Sequence, residues 1–422
     1  MMSTDQTHIE RCGCDGDPHA GLVSIDEAIA RGLALVRAVV ESESVPLWSA
    51  IGRVLAEAVR SPLPLPPFDG SAMDGYALAT GDLAGEGPWL LPVCGRIEAG
   101  AAALPALSPG AAIRIFTGGR VPAACDAVVM QERVTRGGDA IRLDHRPLPG
   151  QNIRRRGEDV AFGAEVLAAG RNIGPREAAA LAAIGAAEVR VRRKVRIAFF
   201  CSGNELVQPG TPLGPAQIYN SNRFALLAAL ALPWIEARDL SAVPDDPAAI
   251  TQALTSAAAW ADLIISTGGV SVGDEDHLPR LVRAAGGVLS VEKIAMRPGK
   301  PLVLGRLGGA VYLGLPGNPV ASHVGWTLIG ARLAERLGGL TARPRGKLVV
   351  KTDFALDRRP GRCEFRPARI VGYDAAGASV VTIRPGGFSA RIGDLAAADG
   401  LVIIPADEER VAIGMLLEFL PF

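Results

Sequence analysis

A chain of 422 residues is long enough for roughly two to four domains, and a hydrophobic fraction of 49% with few aromatics suits several cores of α/β type. Lys plus Arg number 44 against 44 Asp plus Glu, a balance that excludes a bulk nucleic-acid binder, which needs a basic excess. No apolar run reaches the roughly 18–20 residues of a membrane span, and the polar stretch Met1 to Ala20 lacks the core of a signal peptide, so a cytoplasmic protein is expected.

Residues 1–20 read as a tail. They carry His8, Cys12, Cys14 and His19, at a spacing that fits no standard zinc pattern. The six cysteines are scattered and read as reduced thiols. Val23, Ile25, Ala28, Ile29, Leu33 and Val36 then recur at helical spacing, with Ser24 as N-cap and Glu27 as its capping-box partner. A second helix is expected over Ser49 to Ala58, before Ser61 to Pro67, whose prolines exclude helix. From Asp69 to about Gly150, apolar runs such as Ala111 to Phe116 and Ala127 to Met130 alternate with Gly and Pro turns, predicting a small β-rich domain. Basic Arg154, Arg155 and Arg156 follow, then a helix from Arg176 to Ile184 begun at Pro175.

From Lys194 the texture changes. Strand-like runs at Val195–Phe200, Trp234–Leu240, Asp262–Ser266, Val288–Ala295, Leu302–Leu304 and Val311–Leu313 alternate with helical stretches at Ser221–Leu232, Pro247–Trp260, His277–Ala285 and Val320–Leu337. That alternation predicts an open, mostly parallel, doubly wound sheet covered on both faces. After Gly346 the helices stop. Short runs at Leu348–Thr352, Ala378–Ile383, Leu401–Ile404 and Leu416–Phe419 predict a small β-barrel or sandwich.

Ligands of such a sheet bind beyond the carboxyl ends of its strands. Three loops leave strands there: Ser202 to Glu205, Ser266 to Asp276, and Gly314 to Pro319. Gly268 and Gly269 allow close backbone approach and free amides for an anion, while Asp274, Glu275 and Asp276 place carboxylates beside it and imply Mg²⁺ between. The third loop opens the closing helix, whose first amides form another anion pole. Lys293, Arg297 and Lys300 add positive charge. Cys201 reads as a small buried residue. Each loop taken alone reads more readily as a turn or solvated surface than as a ligand site. The residues themselves reach an anion-binding α/β domain with accessory domains.

Seven segments carry more as a set. SAMDGYA, RIFTGGRVP, AVVMQE, QNIRRRGEDV, STGGVSVGDED, RPGKP and GLPGNPV occur in this order over about 250 residues. The set resembles the molybdopterin molybdenumtransferase family, which includes bacterial MoeA and the gephyrin E domain. The resemblance implies an elongated N-terminal domain from residues 21–60 and 150–193, an inserted β-rich domain at 61–149, a molybdopterin-binding α/β domain at 194–343 and a C-terminal β-barrel at 344–422. It implies insertion of molybdate into adenylyl-molybdopterin with release of AMP, Mg²⁺ as cofactor, and a homodimer. Molybdopterin adenylyltransferase and molybdoenzyme maturation proteins would be further partners, with no nucleic acid or membrane involved.

By the same resemblance Asp69 and Thr117 reach the cleft from the partner protomer. Glu205, Asp245 and Asp276 match acidic positions, with Asp276 the first choice of Mg²⁺ ligand. Ser266, Gly268, Gly269 and Ser271 look like the pterin-phosphate loop. Lys293, Arg297 and Lys300 look like the anion-holding group, Pro316 and Pro319 shape the neighbouring turn, and Arg366 and Ser389 match oxyanion-binding positions. Arg297 stands where many relatives have Lys, Ala321 where many have Ser, Asn204 where Asp is frequent and Gly70 where Asn is frequent. The alternatives are a molybdopterin adenylyltransferase-like enzyme, which shares the α/β domain, and a gephyrin-like scaffold.

Overall fold

The computed structural model describes residues 21–269, 277–342 and 348–422. These residues form two compact units, one of residues 44–51 and 55–191, the other of the described residues of 1–43, 52–54 and 192–422.

The first unit is built around a six-stranded sheet in the order Ala127–Met130, Gly75–Leu78, Ala112–Ile115, Trp89–Ile97, Ala140–Leu143, Val134–Gly137. Gly75–Leu78 is buried along its whole length between two antiparallel neighbours. Gly75 is required there because a Cβ would lie 2.0 Å from the Val129 carbonyl oxygen. The same unit holds the helix Pro175–Ala183, with Pro in its first turn and Leu181 packed on Leu55, Ile173 and Val191. The helix expected over Ser49 to Ala58 does not form. Only the 3₁₀ turn Leu47–Ser49 precedes Gly52, which takes a left-handed φ of 77°, and Leu55 is drawn into an antiparallel bridge with Val191.

The second unit carries the central sheet. Its strands are β1 (Val195–Ser202), β2 (Ile235–Val243), β3 (Leu263–Thr267), β4 (Val288–Val291), β5 (Val303–Leu307) and β6 (Ala310–Leu315), in spatial order β2-β1-β3-β6-β5-β4. The first four in that order are parallel, and β5 and β4 are antiparallel additions. Along β1, Ile197 and Phe199 enter one core while Ala198 and Phe200 enter the other, which is why its sequence is apolar without alternation. Helices Pro247–Ala258 and His277–Ala284 cover the second face. The closing helix is in three pieces, Pro319–Gly325, a π turn at Trp326–Gly330 and Ala331–Leu337. Gly330 leaves room there for the Trp326 ring, which a Cβ would approach to 2.4 Å.

The helix Ile25–Leu35 has the expected cap, with Ser24 Oγ accepting from the Glu27 amide at 3.2 Å. It does not stay with residues 44–60. Ala28 and Ile29 enter the central core, and a Cβ on Gly32 would meet Leu304 and Leu333 at 3.2 Å, so residues 21–43 fold with the α/β sheet.

The C-terminal region closes into a five-stranded barrel in the order Cys363–Tyr373, Ser379–Thr382, Leu348–Thr352, Leu416–Pro421, Gly400–Ile404 and back to the first. Val350, Val381, Val402, Leu417 and Phe419 fill it. A short strand from the α/β region, Met296–Arg297, adds in parallel to Cys363–Glu364. The barrel is thereby stitched to the loop that carries Arg297. No helix among the described residues is long and apolar enough to cross a membrane.

Candidate functional site

Parallel register brings the three loops to one edge of the sheet. Cys201 at the end of β1 pairs with Thr267 at the end of β3, and Thr267 pairs with Leu315 at the end of β6. Gly268 (φ 89°) and Gly269 (φ 59°) take backbone conformations that other residues adopt only with strain. A Cβ on Gly268 would sit 2.3 Å from the Ser202 carbonyl oxygen. The third loop comes alongside, with a Cβ on Gly317 reaching 3.6 Å from the Gly268 Cα. Asn222, near the start of helix Ser221–Leu230, pins that loop by donating from Nδ2 to the Gly317 carbonyl at 2.7 Å.

Two hydroxyls at this edge differ from the sequence reading. Ser266, expected in the pterin-phosphate loop, is fully buried and shares a 2.7 Å hydrogen bond with Tyr312, so it braces the loop from beneath. Ser202 is 5% exposed, its Oγ has no hydrogen-bond partner among the described residues, and it lies against Gly268 and Gly269. The sequence reading placed it at the start of the first loop without giving it a role. Cys201 is buried, and burial pushes its thiol pKa up, in keeping with a small core residue.

The acidic side of the edge is partly described. Asn204 Oδ1 accepts from the Asp245 amide at 3.0 Å, linking the ends of β1 and β2. Glu205 is exposed and folds over Gly203. Asp245 Oδ1 is buried and has no hydrogen-bond partner among the described residues. Such an orphaned carboxylate oxygen is a fit for a cation. Among the described residues, however, no three His, Cys, Asp or Glu side chains are grouped to hold a metal. Asp276 and Ser271 lie outside the described residues.

The basic side is a cavity of about 260 Å³. Its walls include Arg297, Lys300, Pro316, Ala321, Arg362 and Ser389. Thus Arg297 and Lys300 of the sheet loop and Ser389 of the barrel line one cavity. Lys293 does not line it; its carbonyl accepts from the Val23 amide at 3.1 Å in the layer behind. Pro319 opens the closing helix, where the Val320 amide donates to the Ser389 carbonyl at 3.2 Å.

One carboxylate organises the cations. Glu364 is fully buried, with Oε2 taking Arg358 Nε at 2.9 Å and Oε1 taking Arg366 Nε at 2.8 Å and Nη2 at 2.7 Å. Arg297 Nε stands farther off, 3.8 Å from Oε1. Arg366, expected to bind the oxyanion, is itself 5% exposed, tied to Glu364 and stacked 4.3 Å from the Phe388 ring centroid. It stands behind the pocket wall because its charge is already committed. Burial lowers its pKa, which Glu364 opposes. Arg362, which the sequence reading did not single out, is the barrel arginine at the cavity.

Asp69 and Thr117 belong to the other unit. Asp69 accepts from the Arg156 amide at 2.8 Å and from Arg155 Nη1 at 2.7 Å, and these bonds hold its pKa below the usual carboxylate range. Thr117 gives both its amide and its hydroxyl to Asp74 Oδ1, at 2.8 and 2.7 Å. Both residues are fixed in place within their own loop cluster.

A glycine-lined sheet edge beside a pocket walled by Arg297 and Lys300 of the sheet loop and Arg362 of the barrel defines a multidomain α/β protein with a cationic pocket at the ligand-binding edge of its sheet. The sequence matches the MoeA N-terminal region (domain I and II) over residues 23–185, a probable molybdopterin binding domain over 198–335 and the MoeA C-terminal region (domain IV) over 349–422. A molybdopterin molybdenumtransferase of Haemophilus influenzae is 39% identical over 348 residues, 82% of this chain and 85% of that protein. Molybdopterin molybdenumtransferase 2 of Mycobacterium tuberculosis is 38% identical over 385 residues, 89% of this chain and 94% of that protein. The crystal structure of a molybdopterin biosynthesis MoeA protein from Pyrococcus horikoshii superposes with a TM-score of 0.78 at 29% identity, covering 95% of this chain and 99% of that one. The chain belongs to the MoeA family of molybdopterin molybdenumtransferases.

Proposed function

We propose that the chain inserts molybdate into adenylyl-molybdopterin with release of AMP, in the cytoplasm and as a homodimer. The observation that carries the reading is the cavity of about 260 Å³ in which Arg297, Lys300 and Arg362 face Ser389. It suits a compact dianion, and it opens from the loops that shape the glycine edge. The Gly268 and Gly269 backbone would cradle phosphate oxygens of the pterin substrate, and the Ser202 hydroxyl is a free donor beside them. Molybdate would be held by the guanidinium and ammonium groups, which offset its charge as it approaches the dithiolate.

Mg²⁺ held by Asp276, with Asp245 and Glu205, would screen the diphosphate oxygens. The unpartnered Asp245 Oδ1 supports that assignment for one ligand. The chain's own part is positioning and charge compensation; no side-chain nucleophile is needed. Asp69 and Thr117 would serve the site of the partner protomer, held rigid by Arg155, Arg156 and Asp74.

The test is AMP release by the purified chain from adenylyl-molybdopterin on addition of molybdate. Consumption of ATP in its place would identify an adenylyltransferase, and no turnover would leave a scaffold. Asp276→Ala is expected to abolish Mg²⁺-dependent AMP release, and undiminished activity would remove Asp276 from the site. Mixing an Asp69→Ala chain with a Lys300→Gln chain is expected to restore activity, since hybrid dimers would hold one intact site; two inactive proteins that stay inactive after subunit exchange would refute the shared arrangement.

A further inference from the structure

In the first unit, residues 69–71 and 119–121 run antiparallel. The Ser71 amide donates to the Gly119 carbonyl at 2.9 Å and the Val121 amide to the Asp69 carbonyl at 2.8 Å. Asp69 and the exposed Thr117 therefore belong to one loop cluster. The cluster contains a Gly-Gly pair, yet its amides are already in use. Those of Thr117, Gly118 and Gly119 go to Asp74 Oδ1, the Ser71 carbonyl and the Phe116 carbonyl, at 2.8, 2.9 and 2.8 Å. The Ser71 hydroxyl goes to the Met73 carbonyl at 2.6 Å. Arg114 is bound to Gln131 and the Gly75 carbonyl, and Arg155 to Asp69. Thr117 Oγ1 lies 2.7 Å from the Asp74 oxygen that also takes its amide. These two bonds hold the Asp74 pKa below the usual carboxylate range, so Asp74 is ionised and only accepts. The hydroxyl proton of Thr117 thus points at Asp74, and the rest of that hydroxyl is lone pairs. Asp69 is likewise an acceptor, with one donor on each oxygen and lone pairs to spare.

We propose that Thr117 and Asp69 act on the substrate as hydrogen-bond acceptors, with Asp74 fixing Thr117 in that role, and that they read N–H groups of the pterin ring and not an oxygen of phosphate or molybdate. The inference rests on the reading of Asp69 and Thr117 as residues of the partner protomer's site. An oxyanion brought against a carboxylate and a lone pair is repelled. The amino-pyrimidinone edge of a pterin presents neighbouring N–H donors, which oxygen acceptors of this kind satisfy. Asp74 is a positioning residue, since it acts through Thr117. The substrate is then held by two chemistries: cations and glycine amides for its anionic end, acceptors for its heterocycle.

The experiment measures anaerobic binding of molybdopterin, AMP and molybdate to the full-length protein, for wild type, Thr117→Val, Thr117→Ser, Asp74→Ala and the Asp74→Ala/Thr117→Val double variant. Thr117→Val keeps the side-chain shape and loses the acceptor. It is expected to weaken molybdopterin about three- to tenfold, the loss of one neutral hydrogen bond, with AMP and molybdate unchanged. Thr117→Ser is expected to recover the affinity. Asp74→Ala is expected to weaken molybdopterin at least as much as Thr117→Val, and the double variant no more than Asp74→Ala, because one residue acts through the other. Weakened AMP or molybdate binding in Thr117→Val overturns the acceptor role, as does wild-type molybdopterin affinity in that variant. Additive losses in the double variant overturn the positioning role of Asp74. Failure of the underlying reading shows separately: if Asp69→Ala and Lys300→Gln chains do not complement on mixing, the shared site itself is refuted, whatever Thr117 binds.

Discussion

Glu364 sits where the interior of a small barrel would ordinarily take an aliphatic residue, and it carries a charge with no exposed surface. Removing one partner of a buried ionic cluster leaves the others uncompensated, at a cost of about 3–5 kcal/mol. Glu364→Gln is therefore expected to lower unfolding stability by about that much in a urea or guanidinium titration, and a loss below about 1 kcal/mol would show that water compensates the arginines. His323, in the closing helix, has no hydrogen-bond partner for Nε2 among the described residues and sits edge-on to Phe422, with ring centroids 5.0 Å apart. Burial lowers its pKa from the ordinary 6.5. The folded state then binds fewer protons than the unfolded state, so its contribution is intact above about pH 6.5 and is lost as pH falls from there toward the folded value. The melting temperature of His323→Leu is expected to fall less than that of wild type between pH 7 and 5; parallel pH curves would remove His323 as a cause.

At the level of elements, the two glycines after β3 decide whether the anion edge exists. Gly268→Ala places a methyl 2.3 Å from a backbone oxygen at a φ of 89°, and the loop has to move. A loss of about 1–3 kcal/mol is expected, together with loss of AMP release. Retained activity and stability in that variant would mean that the loop adapts. The Gly-Gly pair, its strand and the loop after β6 were legible because β1, β3 and β6 are buried on both faces, β1 and β3 run directly into glycines, and β6 runs into Pro316-Gly317. The strand Cys363–Tyr373 was not legible, although it is 11 residues long. Its buried positions include Glu364, Arg366 and Pro367, so an ion cluster fills the place where alternating apolar residues would have announced a strand. The same substitution of charge for hydrocarbon hid Arg362, while Arg366 had been named by resemblance alone. The failed helix at Ser49 to Ala58 has a local cause in Gly52 and a distant one in the Leu55–Val191 bridge, and only the first is visible in sequence.

Across the whole molecule, the texture of the sequence changes at Lys194 and after Gly346, but the packing partner of residues 21–43 was not readable. Residues 21–43 pack with a sheet that begins some 150 residues later, because Gly32 and Ala28 fit against Leu304 and the closing helix. Nothing local to that helix encodes its partner. The strand Met296–Arg297 has a similar long-range logic, since its two residues leave the α/β region to pair with Cys363 and Glu364. An anion gripped by Lys300 on one side and Ser389 on the other would bridge the same two bodies. By mass action, molybdate at about 100 times its dissociation constant is expected to add about 2.7 kcal/mol to the cooperative unfolding of both. Differential scanning calorimetry checks this; a shift confined to one of two separate transitions would show that they unfold independently.

A backbone seam two residues long thus makes the terminal barrel part of the pocket's wall and not an appendage to it. Cutting the chain after Leu340 would strip Arg297 of its neighbouring strand and Lys300 of the opposite wall at once. The shortened protein would keep a sheet with its glycine edge and lose the hollow beside it, so loss of oxyanion capture should accompany barrel removal even where the rest stays folded.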